Sequence, residues 1–212
     1  MAQPRVYEWP ATDSSAICGQ QTMNAAGNLL INGTMASNGT VVFPNYSRNV
    51  SIHSTANLTG VQFTVTGTFN GSIVVSDPVT GPNNTTVYTT EIFDSITQVH
   101  VDGGFDPDLV EIGTGQSGNT AWFNSNYNST VLGLAIQVST LGEITYSFET
   151  TLDDVTTIRD DNDLAIFEPI QSMTDATVGD LVNYTTPSRY SRIDISSGSG
   201  SLTATFLQQG IT

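Results

Sequence analysis

The strongest constraint on this chain is a two-residue alternation of apolar and polar side chains that recurs along its length. Val61-Gln62-Phe63-Thr64-Val65-Thr66 alternates, as do Ile96-Thr97-Gln98-Val99-His100-Val101 and Ile144-Thr145-Tyr146-Ser147-Phe148-Glu149. Leu202-Thr203-Ala204-Thr205-Phe206 repeats the pattern near the end. Period two sends successive side chains to opposite faces of a pleated strand, one set to a core and one to solvent. Further strands are expected at 28–34, 40–43, 49–54, 72–77, 86–90, 109–113 and 131–139. Asn-Gly at 32–33, 38–39 and 70–71 accepts the positive φ angles of tight hairpin turns. Many short strands broken by frequent turns imply an all-β fold, an antiparallel sandwich or barrel.

Helical signal is scarce. Residues 170–182 have room for one short helical turn, weakened by Gly179. The acidic stretch 153–168 is the least strand-like part, and a long loop excursion out of the sandwich is expected at about 153–190. Pro4 and Pro10 favour extended backbone near the start. The expected organisation is an extended N-terminal arm at 1–25 and one β-sandwich domain at 26–212, with the arm dispensable for folding.

Charge limits the partners. Twenty Asp and Glu face five basic residues, all Arg, for a net charge of −15. Such a surface repels phosphate, which argues against nucleic acid and anionic membranes. No stretch approaches the length of a membrane span. The single cysteine, Cys18, rules out an intrachain disulfide and a multi-cysteine metal site. The start lacks the apolar run of a secretion signal, so folding in a cytoplasm is expected.

Each chemical motif has a plainer competitor. Gly113, Gly115 and Gly118 match Gly-x-Gly-x-x-Gly after a short apolar run. A dinucleotide cradle needs a helix next, because the phosphate sits on the helix N-terminus. The next residues, Asn119 to Asn128, are rich in poor helix formers. The stretch is therefore expected to be a glycine-rich loop, and no cofactor is assigned. Asp160-Asp161-Asn162-Asp163 has oxygen ligands suited to calcium but lacks the EF-hand spacing, so no metal is assigned. Asp106, Asp108 and Glu111 form a carboxylate group of the kind a glycosidase uses, though such groups are unavoidable in so acidic a chain. His53 and His100 lie in strand-like runs, and Cys18 has apolar neighbours, as a small buried side chain would. No catalytic residue is assigned. Trp122, Phe123 and Tyr127 make an aromatic-bearing loop, suited either to a partner or glycan contact or to folding back onto the core.

Several stretches together resemble small structural virion proteins of tailed bacteriophages. They are Ala16 to Thr22 with Gly27 to Gly33, Asn57 to Gly67, Thr80 to Asn83 with Val87 to Thr90, Ile144 to Tyr146 leading into Thr151 to Asp154, and Leu202 to Gly210. The resemblance spans nearly the whole chain and consists of strand and turn patterns. It implies a non-enzymatic role on a phage particle assembled in the host cytoplasm. One station is a capsid decoration or cement protein, jelly-roll-like and homotrimeric, whose partner is the major capsid protein. The other is a neck or tail component, as adaptor or fibre-associated protein. A carbohydrate-binding adhesin module using the aromatic loop is the rival class, and a hydrolase using Asp106 and Glu111 is a third.

Overall fold

The computed structural model describes residues 4–125, 133–155, 168–169, 173–186 and 188–208. Among the described residues there are eighteen β-strands and no α-helix. The first nine are β1 (Arg5–Trp9), β2 (Cys18–Gln21), β3 (Gly27–Asn28), β4 (Val41–Val42), β5 (Tyr46–Asn57), β6 (Gln62–Phe69), β7 (Ser72–Val75), β8 (Val79–Thr80) and β9 (Asn83–Tyr88). The rest are β10 (Ser95–Val101), β11 (Val110–Thr120), β12 (Phe123–Asn124), β13 (Leu134–Leu141), β14 (Thr145–Thr151), β15 (Glu168–Pro169), β16 (Asp180–Tyr184), β17 (Tyr190–Ser197) and β18 (Ser201–Gln208). All the pairings with a defined register are antiparallel, as the alternating sequence requires. The chain divides into two units, Thr12–Gln116 and Met1–Ala11 with Ser117–Thr212, where one sandwich domain at 26–212 is expected from sequence.

In the unit Thr12–Gln116, one sheet has the order β3-β10-β6-β7, with β4 also on β10 and β8 on β6. Alternation sorts its side chains. Phe63, Val65, Ile96, Val99 and Val101 are fully buried, while Thr64, Thr66, Thr68, Gln98 and His100 lie on the opposite, partly exposed face. The register lines up a row across that outer face: Val42 opposite Ser95, Ser95 opposite Thr68, and Thr68 opposite Ile73. Asn70 (φ 48°) and Gly71 (φ 80°) turn β6 into β7, the conformation for which Asn-Gly is suited.

The other strands of this unit run β11-β5-β9, with β2 also on β11. Tyr46 to Ile52 of β5 are all buried, so this strand is covered on both faces and its polar members need internal partners. The Arg48 Nε–H donates to the Gly115 carbonyl at 2.6 Å, and the Ser54 hydroxyl donates to the Leu109 carbonyl at 2.7 Å. The glycine-rich stretch is not a loop. It is the middle of β11, an eleven-residue strand. A Cβ at Gly113 would lie 2.1 Å from the Asp13 carbonyl oxygen, and one at Gly115 would lie 2.0 Å from Asn49 Oδ1. These glycines serve close packing of one strand against its neighbours.

In the other unit, β1-β18-β13-β16 form a four-stranded sheet. A second sheet places β14 between β15 and β17, with β12 also on β17. Phe206 of β18 stacks on Phe123 of β12 at 5.1 Å and lies 5.9 Å from Phe148 of β14, so aromatic rings fill the space between the sheets of a β-sandwich. Tyr7 of β1 meets Phe206 edge-on at 5.4 Å.

The segment expected as an arm is part of both units. β1 pairs with β18 along its whole length, and Tyr7 and Trp9 are buried. Ala16, Ile17 and Cys18 are fully buried in the other unit. The described parts of the expected excursion also join sheets. β16 pairs with β13, β15 with β14, and Ala176 bridges Tyr146. Of the stretch 170–182, where the sequence has room for one short helical turn, Met173 is in 3₁₀ conformation and residues 180–182 are strand. The strand β17 is not among those expected from sequence: alternation holds only over Arg192-Ile193-Asp194-Ile195, and Ser191-Arg192 break it on the N-terminal side. The acidic run 160–163 lies outside the described residues.

Candidate functional site

The aromatic loop singled out in the sequence separates into two roles. Phe123 is buried against Phe206 and belongs to the core. Trp122, one residue before β12, is half-buried. Its backbone carbonyl accepts from the Tyr7 hydroxyl at 3.3 Å. The Arg192 guanidinium lies over its ring at 4.6 Å, and Tyr190 meets it edge-on at 6.4 Å. One face of the indole is therefore covered by a cation, a contact favoured by the negative π face. Tyr127 lies outside the described residues.

Around Arg192 the register of β14 and β17 assembles a polar cluster. Glu149 lies opposite Arg192 and accepts from its Nε–H at 2.8 Å. Asp194 lies two residues along β17, on the same face. With its amide turned to satisfy its neighbours, Asn119 donates to Asp194 Oδ1 at 2.6 Å and accepts from Arg192 Nη1 at 3.1 Å. Burial pushes the Asp194 carboxyl up to about 6, reinforced by Glu149 and Asp175 and opposed by Arg192. Sequence reasoning missed this cluster because Asn119 and Glu149 are far in the chain from Arg192 and Asp194 and meet them only through strand pairing. The short alternation Arg192-Ile193-Asp194-Ile195 was the available signal. Chemically the cluster is a polar ladder of two carboxylates and one cation, the cation held by Glu149, Asn119 and the Trp122 ring.

The other candidate residues stay separate. The Glu111 carboxylate accepts from the Ser14 hydroxyl at 2.8 Å and from Gln20 Nε2 at 3.3 Å, whereas Asp106 accepts from the Thr22 hydroxyl at 3.4 Å. His53 Nδ1 lies 3.1 Å from the Thr86 hydroxyl, and His100 Nδ1 lies 2.9 Å from Asn28 Oδ1. Burial pushes the Cys18 thiol up to about 12, which keeps it protonated and inert as a nucleophile. Among the described residues no group of three His, Cys, Asp or Glu is placed to hold a metal ion.

Two outer sheet faces carry exposed apolar side chains. On the four-stranded sheet, Val6, Thr205, Gln137 and Leu181 line up across β1, β18, β13 and β16. Val6 is 51% exposed and Leu181 66%, with Leu207 and Leu141 also exposed. Glu8 stands on the same face, opposite Thr203. On the β3-β10-β6-β7 sheet, Val42, Ile73 and Val75 are exposed among Thr, Ser, Gln and His.

No protein-family model matches the chain, and no curated protein matches it. Among solved structures, the chain is similar to the stem and receptor-binding domain of the spike protein P1 from bacteriophage PM2. The identity is 7%, over 98% of this chain and 97% of that one, with a TM-score of 0.22. So distant a likeness carries no functional argument.

Proposed function

We propose that this chain is a non-enzymatic structural protein of a bacteriophage virion, a decoration protein that binds the major capsid protein and stabilises the head shell as a homotrimer. The observation that carries the reading is the outer face of the four-stranded sheet. There Val6, Leu181 and Leu207 are exposed on strands of one sheet, with Thr205 and Gln137 between Val6 and Leu181, giving apolar side chains that a protein partner can cover. The whole-chain resemblance of the strand and turn patterns to small phage virion proteins supports it. So does the site chemistry: Asp106 and Glu111 have separate hydroxyl or amide partners, and Arg192 is held within the fold.

The test is quantitative mass spectrometry of purified particles, giving copies of this chain per major capsid protein. A ratio near one, or a simple large fraction, supports the shell. A few copies per particle moves the protein to the neck or tail. Absence from the particle overturns the virion reading and leaves the glycan-binding module, whose one specific support is the partly exposed Trp122 beside polar side chains. That module requires Trp122→Ala to abolish binding on a glycan array.

A further inference from the structure

We infer that a second copy of this chain packs against the outer face and free edge of the β3-β10-β6-β7 sheet. Three features of that surface act together. The first is apolar exposure in register. The row Val42–Ser95–Thr68–Ile73 begins and ends on exposed apolar side chains, 65% and 78% accessible. Val75, opposite Thr66, adds a third at 56%.

The second feature is the edge itself. Among the described residues β7 is the last strand in its sheet. In a hairpin with a two-residue turn, Phe69 and Ser72 are hydrogen-bonded partners and the pairing then alternates. The Ser76 N–H donating to the Val65 carbonyl at 2.8 Å follows this alternation. The peptide groups of Ile73 and Val75 therefore point away from β6, and their side chains are exposed on the outer face. Edge strands left open in this way are usually guarded by charge, lysine or proline. Residues 72–75 carry none; Asp77 and Pro78 come only after the strand ends.

The third feature decides the occupant. The outer positions on β3, β4, β6, β7, β8 and β10 are Thr, Ser, Gln, Asn, His, Val and Ile, with none of the twenty carboxylates or five arginines of the chain. The nearest carboxylates lie beyond the strand ends: Asp77 two residues after Val75, Asp102, which accepts from the Gln62 N–H at 2.7 Å, Asp94, which accepts from the Asn70 N–H and the Ser47 hydroxyl, and Glu91, which accepts from the Asp77 N–H. A basic partner would be met by carboxylates. A partner as acidic as this chain can approach only where both surfaces lack charge, because like charges brought together in an interface are strongly unfavourable. A second copy, also at −15, fits that condition. The face on the other unit, with Glu8 on a strand of that face two residues from Val6, does not.

The inference gives a surface to the self-association proposed above, and its test is independent of any particle. Sedimentation of the purified full-length chain, at physiological salt and its highest soluble concentration, is expected to show an oligomer. The double variant Ile73→Asp, Val75→Asp is expected to weaken association by about tenfold or more. Val42→Asp, at the far end of the row, should weaken it as well. Leu181→Asp, equally exposed on the other unit, should leave it unchanged. Each variant is first shown to melt cooperatively, and Val42→Asp serves alone if the double variant does not. A dimer would mean β7 meeting its own copy, and a trimer a head-to-tail contact; either supports the inference. A monomeric wild type overturns it, as does an oligomer insensitive to Ile73, Val75 and Val42.

Discussion

At Gly113 the space for a side chain is already taken by the Asp13 backbone carbonyl. Gly113→Ala is expected to destabilise the protein by about 2–3 kcal/mol, because a rigid carbonyl cannot yield as a flexible side chain does. Gly60→Ala, with nothing within 4 Å of the added methyl, should stay within about 0.5 kcal/mol of wild type in urea unfolding. Equal effects at the two sites would remove the close-packing account. Asp194 gives a second prediction. Burial raises its carboxyl to about 6, so between its unfolded value and that value the folded chain keeps a proton the unfolded chain has lost. Stability therefore falls as pH rises through that window. Asp194→Asn keeps an oxygen for Asn119 and should remove that slope, raising stability at pH 7 by on the order of 2 kcal/mol. Asp13 has the opposite sign. The Thr34 hydroxyl and Ser15 N–H hold its carboxyl below the usual range, so its contribution is present above the unfolded value and is lost as pH falls through the folded one. Thermal melts across pH for wild type and Asp194→Asn would separate the two groups.

At the scale of elements, the strands with clean alternation were legible: β6, β10, β14 and β18 lie where the pattern puts them. β1, β16 and β17 were not, because Val6-Tyr7, Leu181-Val182 and Ser191-Arg192 each set two like residues side by side and break the period. Only the start of β11 was legible, since glycine signals a turn unless a neighbour is known to press on the strand. Of the aromatic loop, the sequence located Trp122 and Phe123 but not their division into a surface ring and a core ring. Phe206→Ala should cost about 3–5 kcal/mol in denaturant unfolding, since that ring is fully buried and touches Tyr7, Phe123 and Phe148. Deleting residues 1–20 removes β1 with Trp9 and also Ile17 and Cys18. We expect loss of cooperative melting; a truncated chain that melts like wild type would restore the dispensable arm.

For the whole molecule, charge and burial act on different scales. A net charge of −15 makes the compact chain repel itself over a Debye length of about 8 Å at physiological salt. The melting temperature is accordingly expected to rise on going from low to moderate salt; a flat response would mean the carboxylates are too dispersed to matter. The sequence by itself determined the all-β antiparallel class, the hairpin turn at 70–71 and the acidic surface, because each depends on neighbours in the chain. Only the tertiary structure decided that the glycine-rich stretch is a packed strand, that the first residues belong to both cores, and that Trp122, Arg192, Glu149 and Asp194 share one cluster. Those outcomes come from register and close approach between distant segments, and period two constrains which face a residue takes but not which strand it meets.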